Sequence, residues 1–254
     1  MKAVIKNRST SIPHRGIFAL LLLALLLNFT LWFNTHKIQP AWPNVPPAPS
    51  KSAALFSGLG DSQLSFRLLS FPLQQMGNEG GRVTPLYMYD YNKLGGWFNV
   101  LYELDAASNY PPYLAAYYYG ATQEPERQLA PVIEYLARVG QQGENGKWRW
   151  LAQAAYLAFH KKKDHAYAIE IAHKLAALPV EMPHWARQMP AILSAESGDN
   201  ETALKLMRSI LIDMVNNKDV APNANEINFL IDFICHRAQT PEQARLDPVC
   251  KAGE

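Results

Sequence analysis

Apolar residues are spaced in three different ways along this 254-residue chain. From Gly16 to Phe33 they run as GIFALLLLALLLNFTLWF, with no charged side chain among them. Between Gln39 and Ser50 the pattern dissolves into Pro40, Pro43, Pro46, Pro47 and Pro49, a density that excludes regular helix and sheet. From Ser57 onward apolar residues recur at three- and four-residue intervals and never alternate for long, so the rest of the chain reads as helix after helix. The spacing predicts helices near 61–76, 91–104, 111–120, 125–139, 147–160, 164–177, 183–196, 199–216, 223–237 and 241–246. Several have readable starts. Asp61 suits an N-cap, Pro125 a first helical turn, Asn223 with Glu226 a capping box, and Thr240-Pro241 with Gln243 both signals at once.

The 16–33 block is a membrane-anchor pattern, because eighteen helical residues at about 1.5 Å each reach roughly 27 Å, the depth of a bilayer core. Lys2, Lys6, Arg8 and Arg15 precede it, and only Lys37 and Lys51 follow closely, so the charge bias leaves the N-terminus cytoplasmic. A cleavable signal peptide is the competing reading, but Asn34, Thr35, His36 and Lys37 offer no small-x-small cleavage site. The expected organisation is a basic tail over 1–15, a signal anchor over 16–33, a Pro-rich linker over 34–56 and an exported helical domain over 57–254. The expected place is the cell membrane, single-pass, with the domain outside the cytoplasm.

Charge then removes one class of partner. Four of the 24 Lys and Arg sit in the N-terminal tail, which leaves the remainder nearly balanced against 22 Asp and Glu. No basic face for nucleic acid follows from that balance. The two cysteines, Cys235 and Cys250, both lie in the part expected to be exported, where a disulfide is favoured over free thiols.

Two successive helix pairs superimpose when the sequence is slid by 35 residues: Trp150 on Trp185, Leu157 on Ile192, Asp164 on Asp199, Ala168 on Ala203. The small residues let the second helix of each pair approach its neighbours, and the aspartates stand where they can cap it. The segments KKKDHAYAIEIAHKLAALP and SGDNETALKLMRSIL resemble the second half of the tetratricopeptide (TPR) repeat. The wording WRWLAQAAYLAFH, WARQMP and SGDNETAL is similar to membrane-anchored bacterial proteins of unassigned function. The resemblance implies an all-α solenoid of antiparallel helix pairs and an inner-membrane, periplasm-facing location, and it carries over no catalytic residue. Pro190 falls inside a helix of this register, where it predicts a kink.

Candidate chemistry is sparse. His160, Asp164 and His165 cluster around three lysines without a metal-ligand motif, and neither HExxH nor GxSxG occurs, so no cofactor, metal or catalytic residue is expected. The segment around Arg82, Tyr87, Tyr89 and Asp90 has two readings: an aromatic recognition surface, or a cap on the helical array with Arg82 paired to Asp90 or Asp61. Of Tyr117, Tyr118 and Tyr119, at least one must leave the core, because consecutive helical residues cannot share a face. Trp150 and Trp185 are expected inside the core. Arg149, Gln153, Tyr156, Gln188 and Glu196, on the first helices of the pairs, are the candidate lining of a concave partner-binding side. The function expected is a non-enzymatic scaffold or assembly factor that meets a protein or peptide of the cell envelope. The alternatives are an envelope enzyme on glycan or lipid precursors, using Asp90, Glu103 and Asp105, and a structural subunit of a membrane complex.

Overall fold

A computed structural model of the chain describes residues 14–36, 44–79, 82–216 and 223–251. Apart from a two-residue antiparallel pairing of β1 (Asn78–Glu79) with β2 (Arg82–Val83), its regular structure is helical. The first unit contains α1, His14–Thr35. Its Gly16–Thr35 portion is long and apolar enough to cross a membrane or to act as a signal sequence, and none of it is buried.

The second unit begins at Asn44, not at residue 57. Val45 is buried, the Trp97 indole donates to the Pro46 carbonyl at 2.9 Å, and the Asn44 amide donates to the Met88 carbonyl at 2.9 Å. Helix α2, Lys51–Ser57, follows, capped by the Ser50 hydroxyl. Proline removes backbone donors but leaves its carbonyl free to accept, so an extended Pro-rich strand docks wherever an indole N–H and an apolar groove meet it. The later half of the expected linker is therefore part of the domain, and residues 37–43 lie outside the described residues.

The remaining helices are α3 (Ser62–Gln75), α4 (Tyr91–Leu104), α5 (110–121), α6 (Pro125–Gln128), α7 (Ala130–Gly140), α8 (Trp148–Tyr156), α9 (His165–Ala176), α10 (His184–Glu196), α11 (Asn200–Asn216), α12 (Ala224–Asp232), α13 (Pro241–Leu246) and α14 (Pro248–Lys251). A π-turn continues α8 over Leu157–Lys162 and α12 over Phe233–Arg237, and α5 holds one within it at Leu114–Tyr118. The expected caps form at Asp61, Asp164, Asp199 and Thr240, each accepting from the N–H three residues on. Asn223 instead accepts from Asn225, and Glu226 turns away to His184, 3.1 Å distant, so no capping box closes there. Helix α10 is continuous through Pro190.

From α7 to α11 each helix packs on the next. The first helices of the pairs also lie side by side in one direction. Trp148 meets Trp185 at the starts of α8 and α10, with ring centroids 5.7 Å apart, and His160 stands 3.9 Å from Glu196 at their ends. Trp150 donates to Asn109 at the starts of α8 and α5, and a Cβ placed on Gly120 would touch Leu157 near their ends. Helices α5, α8 and α10 are thus parallel, and α9 returns between α8 and α10. Close approach of α7 to α8 requires glycine at 140, because a Cβ there would overlap the Leu151 backbone nitrogen. One apolar core runs from Val45 to Leu193, and a smaller one joins Ala191, α11 and α12 through Met207, Leu230 and Ile234. Ala168 and Ala203 are fully buried at the pair contacts where the repeat places them.

The Cys235 and Cys250 sulfurs lie at bonding distance, with Cα atoms 5.7 Å apart. This bridge fastens α14 to the end of α12. Beside it the buried Asp247 carboxylate accepts from Gln239 at 2.5 Å, from Arg208 and from the Val249 N–H. Burial alone would raise this carboxyl, but those three donors together hold it below the usual carboxylate range.

Candidate functional site

The parallel helices α5 and α8 present an aromatic cleft of about 490 Å³, lined by Asn109, Tyr110, Tyr113, Tyr117, Arg149 and Trp150. Its floor is fixed by the Trp150 indole, which donates to the Asn109 side chain at 2.7 Å. Tyr113 and Tyr117, four residues apart on α5, stand exposed with ring centroids 5.1 Å apart, and Tyr117 meets the edge of Trp150 at 6.4 Å. Arg149 is exposed at the rim, where its Nε donates to the Gly146 carbonyl at 3.1 Å. The arrangement joins flat apolar rings to a fixed guanidinium. Side chains of these types carry most of the binding energy in protein interfaces.

Along α8 the same face continues through half-buried Gln153 and exposed Tyr156. Tyr156 lies 4.7 Å from the His160 ring, and His160 leads on to exposed Glu196. Four of the five predicted groove residues therefore share a surface. Gln188 does not: it is 3% exposed, and its buried Nε2 has no hydrogen-bond partner. The 35-residue register places it on a first helix, but α10 is rotated so that position 188 faces inward while Trp185, expected in the core, is 48% exposed. Trp185 packs edge-on against Trp148 instead.

Tyr110, Tyr113 and Tyr117 form a helical stripe that the sequence reading passed over in favour of the adjacent tyrosine run. The signal was their i, i+3, i+7 spacing. Of that run, Tyr117 and Tyr118 are exposed and Tyr119 is fully buried. Lys147 was missed altogether. It is buried at the start of α8, donates to the Ala106 carbonyl, and burial pulls its ammonium below the usual range against an opposing pull from Asp105.

The 82–90 segment splits between its two readings. Tyr89 is buried and donates to the Met76 carbonyl at 2.5 Å, while Tyr87 stays part-exposed with its carbonyl bound by Gln128 at 2.7 Å. Tyr91 donates to the Tyr119 carbonyl at 2.7 Å, and Tyr119 to the Leu73 carbonyl at 2.5 Å. These hydroxyls satisfy carbonyls left free at the ends of α3 and α5. Burial pushes Tyr89 and Tyr91 up to about 12, so both remain donors at any physiological pH. Asp90 caps α4 by accepting from Asn92 and Lys93, and its ion partner is Lys93 at 3.4 Å. The side chain of Arg82 lies outside the described residues.

The other carboxylates considered for chemistry are Glu103 and Asp105. Asp105 accepts from the backbone of Ala107 and Ser108, and Glu103 is exposed on α4. Among the described residues no three His, Cys, Asp or Glu side chains gather at metal-binding distance. A second cleft, about 480 Å³, adjoins the disulfide and is lined by Cys235, His236, Gln239, Arg245, Cys250 and Lys251. No protein-family model matches the chain, and neither does any curated protein or solved structure.

Proposed function

We propose that this chain is a membrane-anchored TPR-like helical-repeat protein whose first-helix face binds a protein or peptide of the cell envelope. In this reading α1 is an uncleaved signal anchor with its N-terminus in the cytoplasm, and the helical domain is displayed beyond the membrane as a scaffold or assembly factor. The observation that carries the reading is the parallel alignment of α5, α8 and α10, which lines Tyr113, Tyr117, Arg149, Tyr156 and Glu196 along one accessible face. Stacked helix pairs use such a face to hold extended partners, because each repeat adds a few side chains to a continuous track. The exposed tyrosines suit this role, since they offer large contact area with few rotatable bonds.

The test is co-purification from intact membranes after mild crosslinking. Replacing Tyr113, Tyr117 and Arg149 together by alanine removes the captured partner while thermal stability stays close to that of the parent, because all three side chains project from the fold. Unchanged recovery of the same partner by a folded triple variant would place binding elsewhere and sink the proposal.

A further inference from the structure

Helix α3 carries large apolar side chains on its outward face as well as its inward one. It turns Ser65 and Ser70 inward beside Phe66 and Leu73, and it turns Leu64, Leu68 and Phe71 outward. At 100° per residue the three outward side chains fall in a stripe about 60° wide, opposite the buried side. A helix that needed only solubility would carry polar side chains at 64, 68 and 71, and here the Ser70 hydroxyl is buried with no hydrogen-bond partner while those three apolar side chains face outward. Leu68 is 49% exposed and Phe71 67%. Just before this helix stand exposed Phe56 and, at the tip of the α2–α3 turn, Leu59, 90% exposed in a left-handed backbone conformation (φ 53°) that favours glycine or asparagine. The fold gains nothing from a leucine there. Five large apolar side chains displayed within residues 56–71 exceed the scattered exposure of an ordinary surface.

Their company points to lipid. Lys51 and Arg67 are exposed cations, and neither forms an ion pair among the described residues. The one acidic residue of this stretch, Asp61, is engaged as the N-cap of α3. Arg67 flanks the apolar stripe, where its stem can lie along Leu64 and Phe71 while its guanidinium reaches outward. Leucine and phenylalanine on one side with basic residues at the border is the make-up of a helix that lies in a membrane interface. A second copy of this chain would bring the same cations face to face, whereas phosphate headgroups pair with them. The apolar α1 precedes the patch closely in sequence, so a bilayer holding that span is met at high local concentration.

We infer that the outward face of α3, with the α2–α3 turn, docks on the surface of an anionic phospholipid bilayer. This inference rests on the reading of α1 as a membrane span. The test uses the full chain reconstituted in vesicles of phosphatidylethanolamine and phosphatidylglycerol. An environment-sensitive fluorophore is attached at Leu68→Cys, where it is selective because Cys235 and Cys250 are bridged. Matched probes sit at Glu201→Cys, an exposed position of α11, and at Leu26→Cys within α1. Quenching by lipids spin-labelled high on the acyl chain is expected to be several-fold stronger at position 68 than at 201, and to fall when Arg67→Glu and Phe71→Asp are added.

A quenched probe at 26 with 68 no different from 201 overturns the docking face and leaves the span standing. An unquenched probe at 26 removes the span and the docking face together. A probe at 68 that is shielded without quenching, in proportion to protein density, assigns the patch to a second copy and likewise overturns the inference.

Discussion

Tyr119 shows how little of this fold a composition count would reveal. Its ring is fully buried between Phe98 and Tyr89, and its hydroxyl donates to a carbonyl at the end of α3, forty-six residues earlier in the chain. Tyr119→Phe keeps the packing and leaves the Leu73 carbonyl without that donor, which is expected to cost about 1–2 kcal/mol in denaturant unfolding. An unchanged midpoint would mean that water replaces the hydroxyl. Asp247 is likewise buried, with its carboxylate held by three donors. Its folded carboxyl lies below its ordinary value of 3.8, so its contribution is present above that pH and is lost as pH falls through the lower folded value. Asp247→Asn should therefore lower stability at pH 7 by about 1–2 kcal/mol, discounted for the partly exposed Arg208, and the gap to the parent should narrow below about pH 4. A gap that stayed constant with pH would show that the charge contributes nothing. Neither role was legible in the sequence, because both depend on which distant backbone groups the fold leaves unsatisfied.

At the scale of elements the sequence was more informative. Asp61, Asp164, Asp199 and Thr240 cap the helices they were expected to cap, since an N-cap is a local contact between a side chain and an amide three residues on. The rotation of α10 and the polarity of α3 were not legible, because a periodic pattern states that a helix has two faces without stating which neighbours will cover them. The docking of Pro46 on Trp97 escaped for a related reason: the proline run excludes helix and sheet but says nothing of an indole fifty-one residues away. The disulfide belongs to this scale as well. Replacing Cys235 and Cys250 together by serine removes a 15-residue loop constraint, worth about 3 kcal/mol in the chain-entropy account. Hydrogen exchange should then rise through α13 and α14 before it rises in α8. Equal protection with and without the bridge would show that the Asp247 contacts alone secure this end.

For the molecule as a whole, the 35-residue register correctly places Ala168 and Ala203 at buried pair contacts and Asp164 and Asp199 at helix starts. It misplaces Trp185 and Gln188, which α10 exchanges between surface and core. The candidate groove was accordingly legible in Arg149, Gln153, Tyr156 and Glu196, while its aromatic wall on α5 emerged only when α5 and α8 were seen to lie parallel. Contact with another protein is proposed for this face and not for the opposite one. Its most direct measurement is photo-crosslinking in intact cells, with the reactive amino acid placed at Tyr117 and Tyr156 on the face and at Lys174 and Lys205 on the second helices of the pairs. Discrete adducts to one envelope protein from 117 and 156, absent from 174 and 205, are the predicted result. The same adduct pattern from all four positions, or none from 117 and 156, would contradict it.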